Sequence, residues 1–175
     1  NHERYAATSD RQAVRAMVAA MNGTVDEVIR VAEAEGIEAD ILRTDELMVA
    51  VNPAQHARML AEVAHRRAWG EEERVTALGR EETLARVAMP GALGAMRVAG
   101  VARVQPAKLV RGLAQAVERL GVRIAEGTAV TAIEPRRVTT DRGTVRARIV
   151  LRATEGFSAD LPGLRRDWLP LNSAQ

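Results

Sequence analysis

Cysteine is absent from the 175-residue chain. Disulfide staples, thiolate nucleophiles and cysteine-ligated zinc are therefore excluded. Aromatic residues are nearly as scarce, with Tyr5, Trp69, Phe157 and Trp168 forming the whole set. A hydrophobic core must come from Val, Leu, Ile, Ala and Met instead. The same shortage argues against nucleic acid, since single strands are held by stacking bases on aromatic platforms. Lysine occurs once, at Lys108, and every other cation of this type is arginine. High-pKa arginines lift the pI to about 9.9 while the net charge stays at +2. They are mixed with acids, as in "GEEERVTALGREETLAR", and form no basic stripe along the sequence. No apolar run approaches the roughly 18 residues of a membrane span. No signal-peptide pattern precedes the first helical segment, so the cytoplasm is the expected setting.

What is present suits a globular fold. The length implies one domain, or one enlarged by an insertion, burying roughly 70% of the unfolded surface. Apolar residues make up 47% of the chain, an ordinary share. Residues 10 to 36 carry Val14, Met17, Val18, Met21, Val25, Val28, Ile29 and Ala32 at three- and four-residue steps. That spacing predicts one helix, with Asp10 as N-cap, Gly36 after its end and an imperfection at Asn22-Gly23. "ADILRTDELMVAV" predicts two short strands around a Thr44-Asp45-Glu46 turn. Asn52-Pro53 opens a helix running to about Arg67. "RVTALG" predicts a strand and "REETLARVA" a short helix. "AMRVAGVARV" alternates as a strand does, with Gly100 at a bulge or close approach. Pro106 opens a helix striped by Leu109, Val110, Leu113, Val117 and Leu120, and Gly121 closes it. Strands are then predicted at "VRIAEG", "AVTAIEP", "RVTT", "TVRA" and "RIVLRA", with a turn at Asp141 to Gly143. The result is an α/β layout carrying a β-meander, with a compositional join at Gln105-Pro106.

Familiar catalytic constellations are missing. The three histidines are His2, His56 and His65. His56 and His65 lie nine residues apart on one helix, hence on opposite faces, and cannot share a metal. Packing or surface roles suit them, and no metal site is expected. Ser9, Ser158 and Ser173 lack a nucleophile-elbow sequence. Acids in "GEEER" and "GREET" suit helix starts. Arg136-Arg137 and Arg165-Arg166 are each able to hold phosphate or carboxylate, or to be ordinary members of an arginine-rich surface. No Gly-x-Gly-x-x-Gly occurs, so the chain alone has no usual cradle for a dinucleotide pyrophosphate. The last feature is "TDRGTVRARIVLRATEGF", an apolar run that stops at Ala153-Thr154-Glu155-Gly156. Small residues at a strand end serve a plain turn, or leave main chain bare for a ligand.

"PAKLVRGLAQAVERLGVRIAEGTAVTAIEPRRVTTDRGTVRARIVLRATEG" resembles the FAD-dependent oxidoreductases of the D-amino-acid oxidase and glycine oxidase superfamily. The resemblance rests on Pro106 to Leu113, on Gly121-Val122, on the Gly127-Thr128-x-Val130-x-x-Ile133 strand, and on Ala153 to Gly156. It is strongest over about residues 100 to 170. It implies part of an FAD-binding Rossmann-like domain over 106-175, and over 1-105 a helical and α+β insertion belonging to a substrate domain. Its implied site residues are Val130, bonding the adenine end of FAD through its backbone, and Ala153, Thr154, Glu155 and Gly156 beside the cofactor. Glu155 departs from the usual Ala-Thr-Gly. The implied substrate is a small amine or amino acid, oxidised by hydride transfer to FAD. No catalytic base is assignable, and the oligomeric state is open. By this resemblance the Gly-rich strand-turn-helix precedes residue 1 and more contacts follow Gln175. The chain is then an internal fragment that is inactive alone. The rival reading is a non-catalytic α/β interaction module without flavin.

Overall fold

A computed structural model of the chain describes residues 2–167. Trp168 lies outside the described residues, as does Ser173. The chain divides into two compact units, Asn1–Val122 and Arg123–Gln175.

In the first unit α1 (His2–Thr8) leads into α2 (Arg11–Ala34). The Asp10 carboxylate caps α2 by accepting from the Ala13 N–H at 2.7 Å. The helix runs unbroken through Asn22 and Gly23, as its continuous apolar phase predicts. It stops where Gly36 takes a φ of 66°. There the Ile37 N–H reaches back to the Ala32 carbonyl at 2.7 Å, consuming an orphan helix-end acceptor.

β1 (Leu42–Ala50) is a single strand where two short ones were predicted. It pairs antiparallel with β3 (Gly94–Arg103), whose other edge takes β2 (Val75–Leu78). The Thr44-Asp45-Glu46 triplet forms no turn. Thr44 pairs with Val101 and Glu46 with Val98, so Ala99 and Gly100 together oppose the single Asp45. This is a β-bulge, and Gly100 sits in it at a φ of 72°. Polar side chains in a strand are tolerated where a partner is in reach, and Arg97 Nε donates to Asp45 at 2.6 Å.

α3 (Pro53–Ala68) begins as its sequence predicts, with Asn52 Oδ1 accepting from the Gln55 N–H at 2.9 Å. Its Met59 and Val63 pack with Val75, Met96 and Val98 to form the main core. The return from α3 to β2 is held by a two-pronged ion pair. Arg66 Nε and Nη2 donate to the two carboxylate oxygens of Glu71 at 2.9 and 2.7 Å. Glu71 is only 5% exposed, so its charge depends on that fork. Hydrogen bonding and charge from Arg66 hold the Glu71 carboxyl below its ordinary range, against the opposing effect of burial.

After α4 (Arg80–Leu84), α5 (Pro106–Arg119) starts with Gln105 Oε1 accepting from the Lys108 N–H at 2.8 Å. Leu109 of α5 packs against a second cluster of Ala32, Ile37 and Ala39. The helix that opens the second sequence region therefore packs within the first structural unit. Gly112 makes this close packing possible: a Cβ there would stand 2.3 Å from Ile37 Cγ2.

The second unit holds an antiparallel meander of β4 (Val130–Glu134), β5 (Arg137–Thr140) and β6 (Gly143–Arg146). A 3-10 helix, Glu155–Asp160, follows. The expected strands at 122–127 and 148–153 are not strands here. A strand exists by pairing its N–H and C=O groups with a neighbouring strand, and among the described residues neither run belongs to a sheet. Their apolar side chains stay uncovered, with Ile149 75% and Leu151 87% exposed.

Two outcomes test the packing. Gly112→Ala gains about 1 kcal/mol of helix propensity. Overpacking against Ile37 outweighs that gain, giving a net loss of about 1–2 kcal/mol by urea denaturation. Glu71→Gln should cost about 2–3 kcal/mol at pH 7. Because the folded carboxyl titrates below its unfolded value, its contribution is complete above pH ~4.3 and fades as pH falls through the folded value. The gap between wild type and variant should therefore narrow in the same assay near pH 3.

Candidate functional site

The expected site residues all fall in the second unit. Val130 opens β4, opposite Thr140, and is 38% exposed. Its position is set by the loop across from it. The Asp141 N–H donates to the Ala129 carbonyl, and the Ala129 N–H donates to Asp141 Oδ1, both at 3.0 Å. Arg142 Nε adds a bond to the Gly127 carbonyl at 3.0 Å. The predicted turn is thus present, and it fastens the residue before Val130 as well as joining β5 to β6.

Ala153 and Thr154 lead into the 3-10 helix, which contains Glu155 and Gly156. Thr154 and Ser158 share a hydroxyl–hydroxyl hydrogen bond of 2.6 Å. Ser158 is 1% exposed, so this bond satisfies a hydroxyl that water does not reach. Glu155 takes a φ of 44°, in the left-handed region, and its carboxylate accepts from the Gly156 N–H. The extra residue in the Ala-Thr-Gly pattern thereby forms its own local turn. Gly156 has no heavy atom within 4 Å of where a Cβ would stand.

The structure does not join Val130 to Ala153–Gly156 by a hydrogen bond among the described residues. It brings their neighbours together instead. Ala132 and Ile133 of β4, Arg152, and Leu161, Pro162 and Leu164 line one cavity of about 450 Å³. Sequence reasoning missed Arg152 and the 161–164 wall, and neither carried a motif. Only Arg152's place directly before the small-residue stretch hinted at it.

The histidines form a separate arrangement in the first unit. His65 Nε2 lies 2.9 Å from His2 Nδ1, and both rings lie against Trp69. His56, on the opposite face of α3 as its spacing predicts, sits beside the position of Gly94. Among the described residues no group of three or more His, Asp or Glu is placed to hold a metal. Also among them, no helix is long and apolar enough to cross a membrane.

The family model of the FAD dependent oxidoreductases (DAO) matches residues 2–174. The chain belongs to this family, whose cofactor is FAD. Its mixed α/β architecture with small antiparallel sheets is matched in solved structures. Glycine oxidase from Geobacillus kaustophilus aligns with a TM-score of 0.67 at 25% identity, over 84% of this chain and 39% of that one. L-proline dehydrogenase from P. horikoshii aligns with a TM-score of 0.68 at 17% identity, over 85% of this chain and 40% of that one. L-amino acid deaminase from Proteus myxofaciens gives 0.68 at 18%, over 82% and 34%. A further match, the L-α-glycerophosphate oxidase of Mycoplasma pneumoniae, has FAD bound. The chain spans about two-fifths or less of the length of these structures. No curated protein matches it.

Removing the Asp141 carboxylate leaves the Ala129 N–H without its acceptor, a loss of about 1 kcal/mol. Amide hydrogen exchange at Ala129 and Val130 in Asp141→Ala should rise about five-fold, while exchange in α3 is unchanged.

Proposed function

We infer that the chain is part of a flavin-dependent oxidoreductase that oxidises an amine or amino acid, with Val130 and Ala153 to Gly156 lying along the adenine side of FAD. The observation that carries this reading is the cavity beside β4. Its walls are apolar at Ala132, Ile133, Leu161, Pro162 and Leu164, which suits a flat, weakly polar ring. Next to it runs a main chain with small side chains at Ala153 and Thr154 and none at Gly156, where space is open. These residues fit one wall of a cofactor site. They do not fit the diphosphate, for which the chain has no Gly-x-Gly-x-x-Gly.

FAD, when bound, supplies the electron-accepting chemistry, receiving hydride from the carbon next to the amine nitrogen. The residues of this chain do the positioning. Asp141 fastens the start of β4, so the main-chain groups of Val130 are preset for a ring edge. The Thr154–Ser158 bond holds the turn that bares Gly156. Neither segment offers a base, and none is assigned. The uncovered apolar runs at 122–127 and 148–153 support the internal-fragment reading, as strands of a sheet whose other members lie outside residues 1–175. The domain limits proposed from the resemblance, 1–105 and 106–175, belong to the same reading.

The same uncovered runs also suit a flavin-free interaction module, and FAD binding separates the two. The complete protein should carry or take up FAD, quench its fluorescence, and lose the oxidised flavin absorption when amino acids are added without oxygen. Gly156→Val has room in the fold, so its stability should change by less than about 0.5 kcal/mol. Its FAD affinity should drop ten-fold or more because the valine stands where the cofactor approaches. A complete protein that neither contains nor binds FAD would establish the interaction module instead.

A further inference from the structure

The end of the meander away from Val130 holds a feature that the flavin reading does not use. Glu134, Pro135, Arg136, Arg137, Arg146, Ala147 and Arg148 enclose a solvent-open concavity of about 760 Å³. Four of these seven residues are arginines. Arg137 and Arg146 are directly opposed across β5 and β6, so they share one face of the sheet. Like charges in that relation repel. The one acid present, Glu134, is already committed, accepting from Arg137 Nε at 2.5 Å. Among the described residues no acid pairs with Arg136, Arg146 or Arg148.

Backbone geometry adds to the case. Pro135 and Arg136 make the two-residue connection between Glu134 and Arg137, with Arg136 at a φ of 64°. Glycine or asparagine ordinarily fills the second position of such a turn. Here a long cationic side chain stands at a backbone position that disfavours it. The Ala147 N–H donates to the Arg136 carbonyl at 3.1 Å, tying the turn to the strand end that carries Arg146 and Arg148.

We propose that this concavity binds a small diphosphate-type polyanion, clamped by Arg136, Arg146 and Arg148. Planar guanidinium forks match phosphate oxygens in pairs, and three unpaired cations suit a ligand bearing several negative charges. The lining offers only Pro135 and Ala147 as apolar surface, too little to seat a hydrophobic anchor of a protein partner. It has no aromatic ring on which a nucleic-acid base would stack. Along β4 the site lies about 13 Å from Val130, four residues at ~3.3 Å each. It is distinct from the proposed adenine contact and does not rest on it.

The probes are inorganic pyrophosphate and ADP, titrated calorimetrically into this chain at 50 mM and 150 mM salt. Pyrophosphate should bind with sub-millimolar affinity at the lower salt and several-fold more weakly at the higher. ADP binding as well as pyrophosphate means that the diphosphate alone is read; tighter ADP binding means that its nucleoside adds contacts. Arg146→Gln and Arg136→Gly should each weaken pyrophosphate about ten-fold, while Arg111→Gln, an exposed arginine on α5, should change it less than two-fold. Arg136→Gly is the decisive variant. It relieves the left-handed backbone, so the melting temperature should hold or rise while affinity falls. No binding by the wild type at 10 mM pyrophosphate would overturn the proposal. So would an equal loss in Arg111→Gln, or unchanged affinity in Arg136→Gly.

Discussion

The fork between Arg66 and Glu71 sets the geometry on which the first unit is built. An amphipathic helix and a strand edge fit together in several ways until their connection is fixed. Here the connection is short and its acid is almost fully buried, so the charge is tolerable only with both guanidinium bonds made. With the turn closed, Val75 enters β2 in register with Val98, and Met59 and Val63 of α3 meet the same patch of β3. β3 is then paired on both edges and covered by α3. Its bulge at Ala99 and Gly100 admits Asp45 and turns what read as a break in β1 into a continuous strand.

The second unit is organised differently. Its meander is stabilised by local turns: Pro135-Arg136 at one end, Asp141 to Gly143 at the other. Both are short-range devices that need no distant partner. The two flanking apolar runs have no such device. Strands outside a hairpin depend on neighbours far away in sequence, and among the described residues neither run belongs to a sheet. The chain spans two-fifths or less of the structures that share its fold.

Charge is distributed with the same economy. Five arginines of the first unit have a named acid: Arg30 with Glu27, Arg43 with Asp26, Arg66 with Glu71, Arg97 with Asp45 and Arg119 with Glu35. At the base of the meander four arginines surround one acid. A low net charge therefore coexists with a locally concentrated positive surface. Whole-chain composition averages the two and hides the second.

Local signals in the sequence were sufficient for α2, α3 and α5, while α1 and the Gln105 cap were not anticipated. Asp10, Asn52 and Gln105 act through side chains three residues from the N–H groups they satisfy, and Gly36 and Gly121 act through their own φ. Gly100 as a bulge, the Asp141 turn and the resemblance carried by Gly127 to Ile133 were legible for the same reason. Only the tertiary structure decided that Asp45 faces Arg97 rather than a turn, that α5 packs on Ile37 through Gly112, and that Arg152 and residues 161–164 close a cavity with β4. It also decided that Arg137 and Arg146 meet across a sheet. Each of these depends on which strand lies beside which and in what register. Register is a property of paired segments, and neither segment carries it alone.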